Sequence, residues 1–246
     1  MKLYIRDSIE FNPETIEFYK KNFELVEEKK LADVIVINDF RQITSDKPVA
    51  CNSTGVEHIH AKKIISLRGE DLKELTAVPE LCLGMAIYTM RVFKGQEMKN
   101  KTLGIIGLGR IGIQLSDYAR IIGAKVIGYD KLKNIGKLEK VLEESDIVSI
   151  QITADRENTN FLTKKHFEKM KEGAILLNSA RPWMVEMNSL RWALDNKLAG
   201  AWFDFELMFT HPKLITTSHL GGTTPESKKI SEMIIAKRLC EMQKNR

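Results

Sequence analysis

The part of the sequence that most restricts the fold is residues 103–130, LGIIGLGRIGIQLSDYARIIGAKVIGYD. It begins as an apolar strand, passes through Gly107, Gly109 and Gly112, continues with helical spacing, and ends a second strand at Asp130. A G-x-G-x-x-G pattern between a strand and a helix is typical of a tight turn whose backbone approaches a pyrophosphate. The helix N-terminus favours that anion because its N–H groups are unpaired and its dipole is positive there. The stretch therefore predicts a dinucleotide-binding βαβ unit.

The end of this unit indicates which dinucleotide is bound. Asp130 is at the position where an acid accepts hydrogen bonds from the adenosine ribose, which favours NAD because a 2′-phosphate would be repelled. Lys131 and Lys133 keep NADP as an alternative, since either could meet such a phosphate. Arg110 and Ile111, the first helical residues, are predicted to line the cofactor with the glycines. The alternative without a ligand is a glycine-rich turn in an ordinary α/β fold.

Strand-like and helix-like segments alternate along the whole chain, which implies βαβ units and parallel sheets. The charged stretch KGQEMKNK, residues 94–101, separates two such series and resembles a hinge. We therefore predict a substrate domain at 1–98, completed by the C-terminal helix at 223–246, and a dinucleotide domain at 99–222. Within the first domain, residues 76–95 form a long apolar helix that Thr76 can cap and Gly95 can end.

Composition excludes several classes of protein. Of 246 residues, 43% are hydrophobic and 29% charged, as in ordinary globular proteins. The net charge of +5 comes from lysines interspersed with glutamates, so a nucleic-acid-binding stripe is not expected. The absence of a long apolar run argues against a membrane span. Cys51, Cys82 and Cys240 are far apart, which argues against disulfides or a metal site and favours a cytoplasmic location.

Two residues that follow strands suggest chemistry beside the cofactor. Arg181 follows the apolar strand AILLNSA, and His219 follows LITTSH. Ligands of open parallel sheets bind outside the carboxyl ends of the strands, so both residues should face the cofactor crevice. An arginine can hold a carboxylate, and a histidine can transfer a proton near neutral pH. Taken singly, Arg181 could be a surface ion pair and His219 a strand-end residue bonded to backbone.

The chain resembles the D-isomer-specific 2-hydroxyacid dehydrogenase family over about residues 48–230. The matching segments are GIIGLGRIGIQLSDYARIIGAKVIGYD, ESDIVSIQI, NTNFLTKKHFEKMKEGAILLNSAR, AGAWFD and SHLGGTTPES. The resemblance implies an α/β fold of two lobes, a Rossmann-type dinucleotide-binding domain and a smaller flavodoxin-like substrate domain. It also implies hydride transfer between NAD and a small 2-hydroxy or 2-keto acid.

The resemblance also implies roles for individual residues. Arg181 would hold the substrate carboxylate and keto oxygen, His219 would be the acid–base, and Asp204 would bond the nicotinamide carboxamide. CNSTGVEHI resembles the substrate-domain loop of the family, which predicts substrate contacts from Ser53, Thr54 and Gly55. The remaining cofactor residues that the resemblance predicts are Thr159, Ala180 and Gly221.

The sequence departs from the family near the proposed site. Pro182 and Trp183 follow the arginine where glycine is usual, Ser218 precedes the histidine where proline is usual, and QIT replaces the usual H-x-P. The loop after Asp204 is short, and Glu206 is its only acid. We predict that Glu206 supplies the catalytic carboxylate by contacting His219, where it would raise the pKa of the imidazole and orient its ring; the alternative is that Glu206 faces solvent.

These departures keep a second class of function open, an NAD(H)-responsive binding protein of the same fold, resembling a transcriptional corepressor. Retention of the arginine and the histidine favours the enzyme. A dehydrogenase for amino acids or polyols is disfavoured because no zinc constellation is found. Finally, the helix within residues 76–95 is apolar on nearly all sides, and in the family the corresponding helix packs across a two-fold axis, so we predict a homodimer.

Overall fold

The computed structural model describes residues 1–6, 10–67 and 72–245. The helices are α1 Pro13–Asn22, α2 Ala77–Lys94, α3 Arg110–Ile121, α4 Leu138–Glu144, α5 Lys164–Lys169, α6 Met187–Asn196 and α7 Pro225–Lys244. The strands are β1 Lys2–Ile5, β2 Glu24–Leu25, β3 Val34–Ile37, β4 Ile43–Ser45, β5 Val49–Cys51, β6 Ile59–Ala61, β7 Ile64–Ile65, β8 Thr102–Ile106, β9 Lys125–Tyr129, β10 Ile147–Ile150, β11 Ile175–Asn178, β12 Gly200–Phe203 and β13 Leu214–Thr216. Short 3-10 turns cover Lys29–Leu31, Arg156–Asn158 and Pro182–Met184. Arg246, at the end of the predicted C-terminal helix, lies outside the described residues.

The chain divides into two compact units, and the first comprises Met1–Leu75 with Thr224–Arg246. Its main sheet is parallel, in the order β2-β1-β3-β5-β7. Counted along the sheet's own strands this is 2-1-3-4-5, the flavodoxin-like order, as predicted. Leu3 and Val34 of the sheet are buried against Tyr19 of α1 and Ile235 of α7. The two helices thus cover one face of the sheet.

The second unit, Thr76–Thr223, contains a six-stranded parallel sheet in the order β13-β12-β11-β10-β8-β9. Four of its strands, β8, β10, β11 and β12, carry almost entirely buried side chains, as expected for a parallel sheet covered on both faces. The strand order reverses between β8 and β10, and ligands of such sheets bind at the carboxyl end of this switch point. The two-unit α/β architecture with a Rossmann-like domain is thereby confirmed.

The sheet of the second unit ends at β9, because the chain turns back sharply after that strand. Asp130 and Ile135 form an isolated antiparallel bridge, with N···O distances of 2.9 and 3.0 Å in the two directions. The common dinucleotide-binding order 3-2-1-4-5-6 has a further strand outside this position. Among the described residues, β9 is the edge strand of the sheet and this turn follows it directly.

Helix α2 belongs to the second unit, so the division falls at 75/76 rather than at the suggested 98/99. The physical reason is its buried face. Cys82, Ala86 and Met90 are fully buried in one cluster with Ile105 and Trp202 of the second sheet. The helix ends at Gly95 in the left-handed conformation, as expected, whereas the Thr76 side chain makes no capping bond.

The outer side of α2 is exposed although it is apolar. Ile87, Tyr88 and Val92 are 42%, 52% and 53% exposed. A helix that is apolar on this side as well usually has a further covering partner. Across the described residues, no helix is long and apolar enough to cross a membrane.

Candidate active site

The glycine loop follows β8 and has the geometry that its spacing predicts. Gly107 has φ +99°, and a Cβ there would lie 2.6 Å from the carbonyl oxygen of Gln151. A Cβ on Gly112 would lie 2.0 Å from the Gly107 carbonyl oxygen. Nothing lies within 4 Å of a Cβ built on Gly109, the N-cap of α3. Two glycines therefore allow close packing, and the third leaves its backbone open where an anion would approach.

Asp130 is bonded to this loop. One carboxylate oxygen accepts from the Leu108 N–H at 2.9 Å, and the other accepts from the Lys133 N–H at 3.0 Å. Lys133 Nζ in turn donates to the Leu108 carbonyl at 2.6 Å. Because a carboxylate has about four acceptor positions, Asp130 keeps capacity for ribose hydroxyls. The residues present therefore fit the adenosine half of a dinucleotide.

Arg110 and Ile111 form the first turn of α3, directly after the open glycine. The first N–H groups of a helix lack intrahelical partners, so this turn presents donors and the positive end of the helix dipole. Burial lowers the pKa of the Arg110 guanidinium from its ordinary value.

Arg181, Asp204 and His219 follow β11, β12 and β13 at the same carboxyl edge of the sheet. Phe205 links two of them. Its ring centroid is 4.5 Å from that of His219 and 5.7 Å from the Arg181 guanidinium carbon. Trp183 lies on the guanidinium as well, at 5.8 Å, and Arg181 Nη1 donates to the Ala180 carbonyl at 2.7 Å. The arginine and the histidine are thus brought together around one aromatic ring.

Asp204 is 1% exposed, and its carboxylate is bonded to the segment that carries the histidine. One oxygen accepts from the Thr217 hydroxyl at 2.7 Å and from the Leu220 N–H at 2.8 Å. The other oxygen accepts from the Gly221 N–H at 2.8 Å. Three of about four acceptor positions are used, so at most one remains for the carboxamide that Asp204 is predicted to bond.

Glu206 does not make the contact that was expected of it. It is exposed, and among the described residues it forms no hydrogen bond or ion pair. The ring of Phe205, the residue directly after Asp204, packs on the imidazole instead. Counting residues after the aspartate did not reveal which side chain the bend turns toward His219.

The other predicted cofactor residues are held by local bonds. Ala180 N–H donates to the Asn178 side chain at 3.0 Å, and Gly221 N–H donates to Asp204, so both amides already have partners. The cofactor contacts expected of Ala180 and Gly221 stay predictions. Thr159 is exposed, in the turn after the 3-10 segment at Arg156–Asn158. In the described ranges, no group of three or more histidine, cysteine or acidic side chains could hold a metal ion.

A partly buried polar cluster beside the glycine loop was not predicted. Gln151 Nε2 donates to Ser149 at 2.9 Å and to Ser179 at 3.0 Å, and it lies 3.3 Å from the Cys82 sulfur. Burial raises the pKa of the Cys82 thiol to about 11, so the thiol stays protonated. All three cysteines are free thiols. The only signal in the sequence was the replacement of H-x-P by QIT.

The predicted substrate loop is in the first unit, after β5. The Ser53 hydroxyl donates to the Gly55 carbonyl at 2.7 Å, and the Ser53 carbonyl accepts from the Leu67 N–H at 2.9 Å. Thr54, between them, is exposed. The loop is therefore held by its own bonds with one hydroxyl presented to solvent.

The fold and the strand-edge geometry define a doubly wound α/β protein with a dinucleotide-binding loop. Residues 84–221 match the family model described as D-isomer specific 2-hydroxyacid dehydrogenase, NAD binding domain. The chain belongs to the D-isomer-specific 2-hydroxyacid dehydrogenase family, as its motifs predicted, and this segment is an NAD-binding domain.

Two curated relatives show the extent of the sequence similarity. A D-3-phosphoglycerate dehydrogenase of Methanocaldococcus jannaschii is 27% identical, over 88% of this chain and 51% of its own length. A glyoxylate reductase of Thermococcus litoralis is 32% identical, over 62% of this chain and 52% of its own. The chain therefore spans about half the length of these curated relatives.

Solved structures agree with the fold over the whole chain. An NAD⁺-bound 3-phosphoglycerate dehydrogenase of Entamoeba histolytica has a TM-score of 0.83 at 21% identity, covering 100% of this chain and 96% of that one. The NAD-complexed D-isomer specific 2-hydroxyacid dehydrogenase of Lactobacillus delbrueckii ssp. bulgaricus has a TM-score of 0.81 at 19% identity, covering 100% and 98%. At these identities the likeness shows the fold alone.

Proposed function

We propose that this protein is an NAD-dependent oxidoreductase that transfers a hydride between nicotinamide and a D-2-hydroxy acid or its 2-keto acid. The observation that carries the proposal is the joint placement of Arg181 and His219. Both follow strands of the sheet that bears the glycine loop, and both contact Phe205. A guanidinium and an imidazole at one strand edge suit an anionic substrate that gains or loses a proton.

NAD(H), when bound, supplies or accepts the hydride. The glycine loop and the first turn of α3 would hold the pyrophosphate, and Asp130 the adenosine ribose. The remaining acceptor capacity of Asp204, at most one position, would take the carboxamide. Arg181 would bind the substrate carboxylate through its planar fork and polarise the keto oxygen. His219 would protonate that oxygen during reduction and remove the proton during oxidation.

Turnover of a panel of 2-keto acids with NADH, followed at 340 nm, tests this function. His219→Gln should lower kcat by at least about a hundredfold, because a placed general acid contributes about 10²–10⁴, while NADH affinity should change little. His211→Gln is the matched control, since His211 is bonded to Asp195 rather than placed at the strand edge, and should keep the parental kcat. Equal loss in both variants would contradict the role of His219.

A second candidate function is an NAD(H)-responsive binding protein. The observation in its favour is that Glu206 is exposed and forms no hydrogen bond or ion pair with another described residue, while Arg181 donates to its own chain at Ala180. NADH binding by the parent, together with the absence of turnover for every acid of the panel, would favour this function over the enzyme.

We also propose a homodimer formed through the exposed apolar side of α2, and a cytoplasmic location, which the free thiols support.

A further inference from the structure

His219 is held in an unfavourable backbone conformation. Its φ is +59°, in the left-handed region, where a Cβ-bearing residue is disfavoured. A residue keeps such a conformation only when its surroundings fix it, and residues of this kind cluster at functional sites. The bonds that fix His219 are therefore informative about what positions the imidazole.

The fixing bonds converge on one buried carboxylate. Asp204 accepts from Leu220 N–H and Gly221 N–H, the two amides after the histidine, each at 2.8 Å. It also accepts from the hydroxyl of Thr217, two residues before the histidine, at 2.7 Å. The segment is thus anchored on both sides of His219 by a side chain that is 1% exposed.

The Thr217 hydroxyl has a fixed direction in this arrangement. Trp202, which is fully buried in β12, donates its indole N–H to the Thr217 oxygen at 3.1 Å. An indole nitrogen can only donate, and a hydroxyl has one proton, so that proton must go to Asp204. Thr217 N–H also donates to the Phe203 carbonyl at 3.0 Å, which holds the residue against β12. A methyl group in place of the hydroxyl could satisfy neither Trp202 nor Asp204.

We infer that Thr217 is a positioning residue: through its hydrogen bonds to Asp204 and Trp202 it fixes the position of the His219 imidazole. Thr217 acts through the backbone on either side of the histidine and touches no reacting atom. The inference rests on the proposed function, in which His219 is the acid–base.

Three threonine variants test the inference. Thr217→Val removes the hydroxyl at nearly constant shape, Thr217→Ser restores it, and Thr216→Val is the matched control because Thr216 is exposed one residue earlier. In Thr217→Val we expect exchange of the Leu220 and Gly221 amide hydrogens to be at least about tenfold faster. We expect kcat to fall at least about tenfold, with KM for NADH within about twofold. Thr217→Ser and Thr216→Val should have amide exchange rates, kcat and KM for NADH close to those of the parent.

Unchanged amide exchange in Thr217→Val would overturn the inference, as would faster exchange with an unchanged kcat. A loss of kcat that Thr217→Ser does not restore would also overturn it, because the hydroxyl would then not be the cause. If the parent turns over no keto acid, the proposed function fails. The exchange rates would still support or refute the anchoring.

If Thr217→Val does not fold, Trp202→Phe replaces it. This change removes the indole N–H and keeps an aromatic ring in the core. The Thr217 hydroxyl then loses one of its two directional bonds, so exchange at Leu220 and Gly221 should rise in the same direction by a smaller factor. No rise in Trp202→Phe would overturn the inference.

Discussion

Alanine substitutions of two glycines in one loop should separate packing from cofactor binding. In Gly112→Ala the new methyl group would lie 2.0 Å from the Gly107 carbonyl oxygen and 3.2 Å from Ile105 Cγ2. Carbon–oxygen contacts are normally no shorter than about 3.3 Å, so α3 and the loop must separate by about 1 Å. In Gly109→Ala the methyl group meets nothing within 4 Å, and φ is −71°, which any residue adopts.

The size of each effect follows from this difference. Overpacking costs typically about 1–3 kcal/mol, and each kcal/mol lowers Tm by about 2–4 °C in a chain of this size. Gly112→Ala should therefore lower Tm by about 2–12 °C. The variant should also bind NADH at least about tenfold more weakly. Moving the helix N-terminus loses at least one charge-assisted hydrogen bond to the cofactor, of about 1.5–3 kcal/mol. Gly109→Ala should have the parental Tm but bind NADH at least about tenfold more weakly, because its methyl group occupies the space that the pyrophosphate would take.

Thermal unfolding by circular dichroism and NADH titration by fluorescence measure the two quantities. Gly84→Ala controls for the substitution itself: its Cβ also meets nothing within 4 Å, and it lies inside α2, so Tm should not fall. A parental Tm for Gly112→Ala would refute the packing argument. Parental NADH binding by Gly109→Ala would refute the placement of the pyrophosphate.

Three further outcomes are expected. Asp130→Ala should narrow the preference for NADH over NADPH in binding titrations, because the variant loses both the acceptor for the ribose hydroxyls and the repulsion of a 2′-phosphate. A preference of the parent protein for NADPH would instead indicate that the neighbouring lysines dominate. Glu206→Gln should leave the pH profile of keto-acid reduction in place, because Glu206 is exposed and forms no hydrogen bond or ion pair within the described residues; a shifted profile would show that Glu206 and His219 meet in the working enzyme. Tyr88→Glu, at a position 52% exposed on α2, should convert a dimer into a monomer by light scattering, whereas a monomeric parent at micromolar concentration would contradict the dimer.

Much of the fold could be predicted because its determinants are local. The apolar run before Gly107 and the alternation of strands and helices define a parallel sheet, and the close contact that requires glycine at 112 is with the Gly107 carbonyl of the same loop. The membership of α2 could not be predicted in this way. Cys82 and Met90 are apolar in either unit, and only the packed structure shows that they cover the second sheet. The charged stretch after α2 was therefore mistaken for the boundary.

The candidate site also contains residues that the sequence could predict and residues that it could not. Arg181 and His219 could be located because the carboxyl ends of parallel strands meet at one edge, whatever the intervening loops do. The contact of Phe205 with His219 could not be predicted, because the chain bends after Asp204 and sequence spacing does not fix the direction of a side chain in a bend. Thr217 was overlooked because its bonds to Asp204 and Trp202 join different strands.

Asp204 shows why a role taken from a motif differs from a role read from contacts. The motif predicts an acceptor for the cofactor, and at most one acceptor position is left on its carboxylate. The other positions are filled by Thr217, Leu220 and Gly221, so the same group also holds the histidine segment. A buried carboxylate needs such donors, because an ion without them would be costly in the interior. The donors that satisfy Asp204 are those that fix His219, so the stability of the one and the position of the other depend on the same three bonds.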